Sequence, residues 1–352
     1  MGFTVESVQS RVVFGVGCIA SLAAEFDLLG ARRILVVTTR GRSALAERAK
    51  ELLGHRVAAV FDGAAMHVPS AVAGAAREYA AEHRADSILA IGGGSSIGVA
   101  KAIALTTGLT IIAVPTTYSG SEMTPLWGMT ENEEKRTGRD AKVQPRTVLY
   151  DPELTVGLPR EFSAASGMNA MAHCIEALYA PDANPLTSWM AEEGIRSLGA
   201  ALPAIVRSPD DLDARTRALY GAWLAGASLG AVQMGLHHKL CHTLGGSFGL
   251  PHAETHAVLL PYTAEYNSEA AHNEMTTAAR ALGGESAPAE LFKLARQIGV
   301  PASLAEIGMR AADLERAADL AVQRPYPNPR PVTREGVLEL LRKAFEGGPA
   351  IN

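Results

Sequence analysis

Short runs of consecutive apolar residues recur between about Val12 and Tyr150, and helical patterns separate them. Ile34 to Val37 predicts a strand and Ser43 to Leu53 a helix; Val57 to Phe61 and Val72 to His83 repeat the alternation. Ile88 to Ile91 then runs into GGGSSIG, Ser96 to Leu105 continues as a helix, and Leu109 to Val114 leads into PTTYSGSEMT. Strands that are apolar at every position, not at every second one, must be covered on both faces, which argues for a parallel sheet between helical layers.

Past Asp151-Pro152 the pattern changes. Ser163 to Tyr179, Leu186 to Val206, Leu212 to Val232, His272 to Leu282, Ala289 to Ile298 and Arg334 to Phe345 all carry helical periodicity. Ser208-Pro209-Asp210-Asp211 predicts a helix start with Ser208 as N-cap and Pro209 in the first position. RPYPNPRP, from Arg324 to Pro331, cannot be helical and predicts an extended loop. The fold class expected is an α/β dinucleotide-binding domain with a parallel sheet over 1–159, followed by an all-α domain over 160–352. A chain of 352 residues also exceeds the roughly 250–300 that one core supports.

Composition narrows the partners. A formal charge of −5 gives no electrostatic reason to expect nucleic acid or an anionic membrane. No stretch approaches the ~20 apolar residues of a membrane span. The N-terminus, with Glu6 and no apolar core, predicts neither a signal peptide nor, despite Gly2, an acylation site. Cys18, Cys174 and Cys241 form no C-x-x-C and no disulfide framework, so a reducing cytoplasm is the expected setting.

Two loops are candidate nucleotide contacts. Gly92, Gly93, Gly94, Ser95 and Ser96 lie between a strand and a helix, where bare backbone can approach a pyrophosphate and helix amides point at it. The turn is not G-x-G-x-x-G, because Ile97 holds the sixth position, nor a Walker loop, because Val99 follows Gly98. After the next strand, Thr116, Thr117 and Ser121 supply hydroxyls at the same carboxyl edge, with Tyr118 and Glu122 completing the set. The first strand ends in Thr38 and Thr39, followed by Arg40 and Arg42 and no acid, so NADH is expected with NADPH accepted as well.

Five of the ten histidines fall between Gly235 and His256. His238 and His242 share a helical face, and Asn169 and His173 repeat that spacing upstream. Gly245-Gly246 is expected to end or bend the helix, with Pro251 setting the approach to His252. A metal site would use His173, His238 and His252 with a carboxylate, but Asn169 is a neutral amide where an anionic ligand would offset the charge. HKLCH has Lys239 where a zinc protease needs Glu. Alternatively the imidazoles hold and protonate an anionic substrate, or some, such as His237 and His256, simply fill space.

GGGSSIGVAK, PTTYSGSEMT, TGRDAKVQPRTVLYDPEL, GMNAMAHCIEALY and HHKLCHTLGGSFGLPHAETHAVLLPY together resemble the iron-containing alcohol dehydrogenase superfamily, and within it the maleylacetate reductase branch. The resemblance implies a dehydroquinate synthase-like architecture, a nicotinamide cofactor and a homodimer. Gly98 stands where metal-dependent members carry Asp, the threonine loop is one residue shorter at Tyr118, and Asn169 replaces their metal-binding Asp. His173, His238 and His252 match the remaining ligand positions, and His242 the histidine near the nicotinamide. The branch works without metal on a small dicarboxylate, reducing maleylacetate to 3-oxoadipate in aromatic degradation. By that resemblance His242 or His252 donates the proton, and His173, His238 and Lys239 pair with substrate carboxylates. The rival expectations are a metal-dependent alcohol or lactaldehyde dehydrogenase, disfavoured by Asn169, and a non-catalytic nucleotide-binding protein.

Overall fold

The computed structural model describes residues 10–131 and 134–349; the signal and acylation expectations at Gly2 and Glu6 lie outside them. The chain divides into two compact units between Gly157 and Leu158.

The first unit runs β1 (Arg11–Phe14), α1 (Leu22–Leu28), β2 (Ile34–Val37), α2 (Ser43–Leu53), β3 (Val57–Phe61), α3 (Ser70–Glu82), β4 (Ser87–Gly92), α4 (Gly94–Thr107) and β5 (Thr110–Pro115). An antiparallel ribbon follows, β6 (Leu126–Glu131) and β7 (Glu134–Arg139), and then β8 (Thr147–Tyr150). Six strands form one parallel sheet in the order β1-β8-β5-β4-β2-β3. The unbroken apolar strands have the cause expected of them. Leu35, Val37, Ile88, Ala90 and Ile111 face α3 and α4, while Ile34, Val36, Leu89, Ile91 and Ile112 pack with α1 and α2. Each strand thus buries both its odd and its even positions. Because β2 is flanked by β3 and β4, the strand order reverses there, and a crevice at the carboxyl ends of β2 and β4 is where such sheets bind ligands.

The second unit is helical: α5 (Arg160–Leu178), α6 (Pro185–Arg207), α7 (Leu212–Ala231), α8 (Leu236–Phe248), α9 (His252–Asn267), α10 (His272–Leu282), α11 (Ala287–Gln297), α12 (Leu314–Val322) and α13 (Arg334–Glu346). Helix α5 is its axis, buried from Ser163 to Leu178 and packed against α6, α7 and α9. Small residues permit the close approach: a Cβ on Gly194 of α6 would stand 2.6 Å from Cys174 Sγ. The loop from Arg324 to Pro331 is non-helical, as its prolines dictate.

Three expectations are corrected. Ser208 does not cap α7; its amide donates to Ala204 and closes α6, and Asp211 caps α7 by accepting from the Ala214 amide at 3.0 Å. The Gly245-Gly246 pair does not end α8, which continues to Phe248 and is terminated by Gly249 at φ 70°. Glycine inside a helix costs only about 1 kcal/mol, whereas the left-handed stop suits Gly249. Helices α9 and α12 go beyond those the pattern predicts, and α9 contains Pro261, a residue that argues against a helix interior when read alone.

Candidate active site

In the α/β unit the nucleotide candidates gather at the carboxyl ends of β2 and β4. Helix α4 opens directly after Gly93, which has no side chain to accept from the first-turn amides, so they remain available to an anion. The two loops fit each other closely. The Thr116 amide donates to Gly92 at 3.0 Å, and a Cβ on Gly93 would meet Thr117 at 3.0 Å. A Cβ on Gly92, where φ is 142°, would stand 2.5 Å from Ser96 Oγ. Gly94 approaches Ser119, Ser95 is half-buried, and Thr39 bridges to Gly63. Thr38 Oγ1 and Ser96 Oγ are buried without a partner within the chain. Open amides, a bare glycine backbone and orphaned hydroxyls fit a dinucleotide phosphate group.

Not every candidate here is free for a ligand. Glu122 is fully buried and accepts from Tyr150 Oη at 2.9 Å and Ser119 Oγ at 3.1 Å, so its carboxyl is committed inside the protein. Burial pushes its pKa up, against those hydrogen bonds. Tyr118 is fully buried as well. Beneath the loop, Lys101 Nζ donates to Ser121 O at 2.6 Å, Thr124 O at 2.7 Å, Thr124 Oγ1 at 3.0 Å and Leu126 O at 2.7 Å. It ties the segment holding Ser121 to α4. At Gly98 an added Cβ would stand 2.7 Å from Val68 Cγ2, so the position that resembles the relatives' Asp has no room for a side chain.

In the helical unit Asn169, His173 and Glu176 stand one and then nearly two turns apart on α5. His173 stacks on His238 of α8, ring centroids 5.1 Å apart, and His238 meets His256 of α9 edge-on at 5.0 Å. His252 lies 4.6 Å from His256, and His242 stacks on His252 at 6.4 Å. The structure therefore brings His173, His238, His242 and His252 into one network and adds His237 and His256 to it. Lys239 is half-buried, and its pKa is lowered by burial and by Arg324.

Glu176 is the residue that sequence reasoning misses. Its Oε2 accepts from His238 Nδ1 at 2.6 Å, and its carboxylate also takes the backbone amides of Gly235 at 3.1 Å and His237 at 2.8 Å. Burial opposes ionisation, but the bond from His238 and the neighbouring histidines outweigh it and hold the carboxyl below its usual range. An ionised Glu176 makes His238 Nδ1 the donor, so His238 Nε2 is turned towards the other rings. The signal was its spacing, three residues after His173; its partner lies 62 positions away and cannot be read locally.

Four atoms in this network are buried without a partner: Asn169 Oδ1, His173 Nδ1, His238 Nε2 and His256 Nε2. Each is costly to leave unsatisfied, which marks a place built for a polar guest. Burial and neighbouring imidazoles push His173 and His256 well below the ordinary histidine range, and burial brings His237 to about 3. The family implies iron here, and a carboxylate behind an imidazole does orient metal ligands. The ligand atoms left over are nevertheless an amide oxygen and imidazole nitrogens, none of them anionic, and Glu176 is already spent on His238 and backbone amides. That set lacks the anionic ligand that would offset a divalent charge. His237, Cys241 and His256 also place ligand atoms within 4.8 Å of one another, but a hydrogen bond between His237 Nε2 and His256 Nδ1 already occupies two of them.

A family model for "Iron-containing alcohol dehydrogenase" matches residues 9–152, and one for "Fe-containing alcohol dehydrogenase family, C-terminal" matches 163–345. The maleylacetate reductase of Burkholderia cepacia is 56% identical over 345 residues, 98% of either chain. The crystal structure of maleylacetate reductase from Agrobacterium tumefaciens superposes with a TM-score of 0.96 at 49% identity, over 99% of both chains. A 1,3-propanediol oxidoreductase retains the fold, TM-score 0.92, over 98% of this chain and 100% of its own, at only 27% identity. Matched along both units by one family's models and nearly end to end by reductases of one branch, the chain belongs to the iron-containing alcohol dehydrogenase family, among its maleylacetate reductases.

Proposed function

We propose that the chain reduces the carbon–carbon double bond of maleylacetate to give 3-oxoadipate, with NADH as the favoured cofactor, NADPH accepted, and no metal. The observation that carries this reading is the inward-facing set of Asn169 and imidazoles, which has hydrogen-bonding capacity to spare and no anionic ligand for a cation. A small dianionic keto acid can take hydrogen bonds from ring N–H groups there and needs no anionic ligand.

Reduced nicotinamide supplies a hydride when bound. The residues suited to hold the cofactor are the first-turn amides of α4 at Gly94 and Ser95, with the hydroxyls of Thr38, Ser96, Thr116 and Thr117. Thr39 and the exposed Arg40 and Arg42 follow β2 and carry no acid to reject a 2′-phosphate. Once the alkene carbon β to the ketone gains hydride, the released electron pair collects on the ketone oxygen as an enolate. Imidazole N–H groups aimed at that oxygen lower the barrier. His242, exposed, and His252, half-buried, are the two rings of the network with access to exchange protons with solvent, and one of them delivers the proton to the α carbon. His173 sits deeper and is suited to hold a carboxylate, whereas His238 spends its Nδ1 proton on Glu176.

Mixing the protein with NADH and maleylacetate and following the absorbance of the reduced cofactor tests the reaction; stoichiometric loss is expected, and no loss with any preparation overturns it. A chelator should leave the rate unchanged. The carboxylate behind His238 favours the second reading, a metal-dependent alcohol dehydrogenase; stoichiometric iron or zinc with activity lost on chelation would establish it.

A further inference from the structure

The turn between β3 and α3 follows its strand at the same carboxyl edge as the nucleotide candidates, and its backbone is strained. His67 and Val68 stand side by side at φ 60° and 48°, in the left-handed region. One such residue is ordinary at a helix end, as Arg84 is after α3 at φ 50°. Two in succession without a helix before them are not, and Val68 is β-branched, the shape that region accepts least. Glycine would adopt the same backbone with less strain. Specific bonds hold the turn in place. The Thr130 amide of β6 donates to Val68 O at 3.0 Å, Thr130 Oγ1 donates to His67 O at 2.9 Å, and the Val68 amide donates to Ala65 O at 3.3 Å. On its other side the turn is joined to the end of β2, where the Ala64 amide donates to Thr38 O at 3.2 Å. What all this achieves is the placement of one isopropyl group. Val68 is buried, and a Cβ added to Gly98 would stand 2.7 Å from its Cγ2, so the valine lies against bare helix backbone. Gly98 is one turn into α4 from Gly94. Valine is stiff at χ1 and cannot swing aside. Strain retained where a simpler residue would remove it points to function, and the helix it bears on is the one whose first amides suit a cofactor phosphate.

We propose that Val68 is a positioning residue for the nicotinamide cofactor: the clamped turn presses its side chain into the notch at Gly98 and so fixes the opening turns of α4 against the end of β2. This deepens the reading of the cradle as a dinucleotide site and rests on it. Val68 acts through the helix, not on the substrate. Thr130 acts one step further back, as the clasp that keeps the turn in its left-handed form. With glycine at position 68 the turn would need no clasp, but the notch would be empty and α4 would lose its lateral stop. The same contact makes Gly98 a position where an added side chain displaces the wedge.

Fluorescence titration of the whole protein with NADH, beside urea unfolding without cofactor and steady-state rates, reads the effect. Val68→Gly removes strain and wedge together. Its dissociation constant for NADH should rise about tenfold, within what one strained residue can store, while kcat at saturating NADH and KM for maleylacetate stay near wild type. Altered stability with an unchanged dissociation constant would make Val68 mere core filling and overturn the proposal. Gly98→Ala pushes on the wedge from the other side and should also weaken NADH binding. Adding Val68→Ala makes room for the new methyl, so the double variant should bind NADH more tightly than Gly98→Ala alone; losses that simply add would mean that the contact transmits nothing, and would overturn it. Thr130→Val deletes the bond to His67 O and keeps the strand. It should raise the dissociation constant about threefold, the worth of one hydrogen bond, and Thr130→Ser should restore it. This pair decides the matter even where the Val68 variants fail to fold: an unaltered constant in Thr130→Val overturns the proposal. A wild type that binds neither NADH nor NADPH would fault the cofactor reading itself. One that binds NADH but leaves maleylacetate unreduced would fault the reaction and leave the wedge standing.

Discussion

The nucleotide cradle and the imidazole cavity are built on opposite principles. At the cradle the working groups are backbone: amides at the start of α4 and glycines whose lack of a Cβ lets two loops close on each other. Among the histidines they are side chains from α5, α8 and α9, with His238 held by Glu176, which helix-end amides hold in turn. A backbone site tolerates exchange of neighbouring side chains but not an added carbon. A side-chain site tolerates added carbon at its margins but not the loss of a nitrogen. Substitutions that respect this distinction should separate cofactor binding from chemistry.

The largest effect is expected in the cavity. Replacing His242 and His252 singly with Gln should lower kcat by about 100-fold or more in at least one variant, the loss typical of a positioned proton donor, while NADH binding stays as it was. Steady-state rates beside a fluorescence titration with NADH decide this. Turnover near wild type in both variants would remove the two residues from the proton-delivery role.

A smaller and differently placed effect is expected at the cradle. Gly92→Ala puts a Cβ at φ 142°, where side chains are strained, and 2.5 Å from Ser96 Oγ. The strain is about 1–3 kcal/mol, and the loop must shift to relieve it. The dissociation constant for NADH should rise about tenfold, with kcat at saturating cofactor nearly kept, since the imidazoles are untouched. An unchanged dissociation constant would mean that this turn does not hold the phosphates.

The same distinction explains what could be read in advance. Ile34 to Val37, Ile88 to Ile91 and the Gly92–Gly94 turn are local: apolar continuity and missing side chains declare themselves within a few residues, and the sheet places them together. His173, His238 and His252 were legible as candidates because histidine is scarce and because Asn169 with His173, and His238 with His242, have helical spacing. Glu176 was not, because its meaning comes from a partner 62 residues away. Nor was the His237–His256 pair, whose bond spans two helices, one of which hides behind Pro261. The commitment of Glu122 to Tyr150 was invisible for the same reason: an acid in a loop that resembles a binding loop says nothing about which way it faces.

The smallest effect concerns what holds the cradle in shape. Lys101 is fully buried, and burial, opposed only by Glu122, brings its pKa from 10.5 down to about 7. Between those two values the unfolded chain binds the extra proton, so this residue adds stability as pH rises from about 7 towards 10.5 and adds none of that gain below 7. Glu122, raised by burial, works with the opposite sign, losing stability as pH climbs through its own shifted value, so it is the comparison with Lys101→Met, which keeps Glu122, that isolates the lysine. Lys101→Met lacks the titration and strands the oxygens of Ser121, Thr124 and Leu126, at a cost of about 1–3 kcal/mol. Urea unfolding of both proteins at pH 7 and pH 9 should therefore show a gap that widens at the higher pH. A gap independent of pH would mean that Lys101 keeps its charge in the fold and that the oxygens around Nζ, not a neutral amine, are what make its burial tolerable.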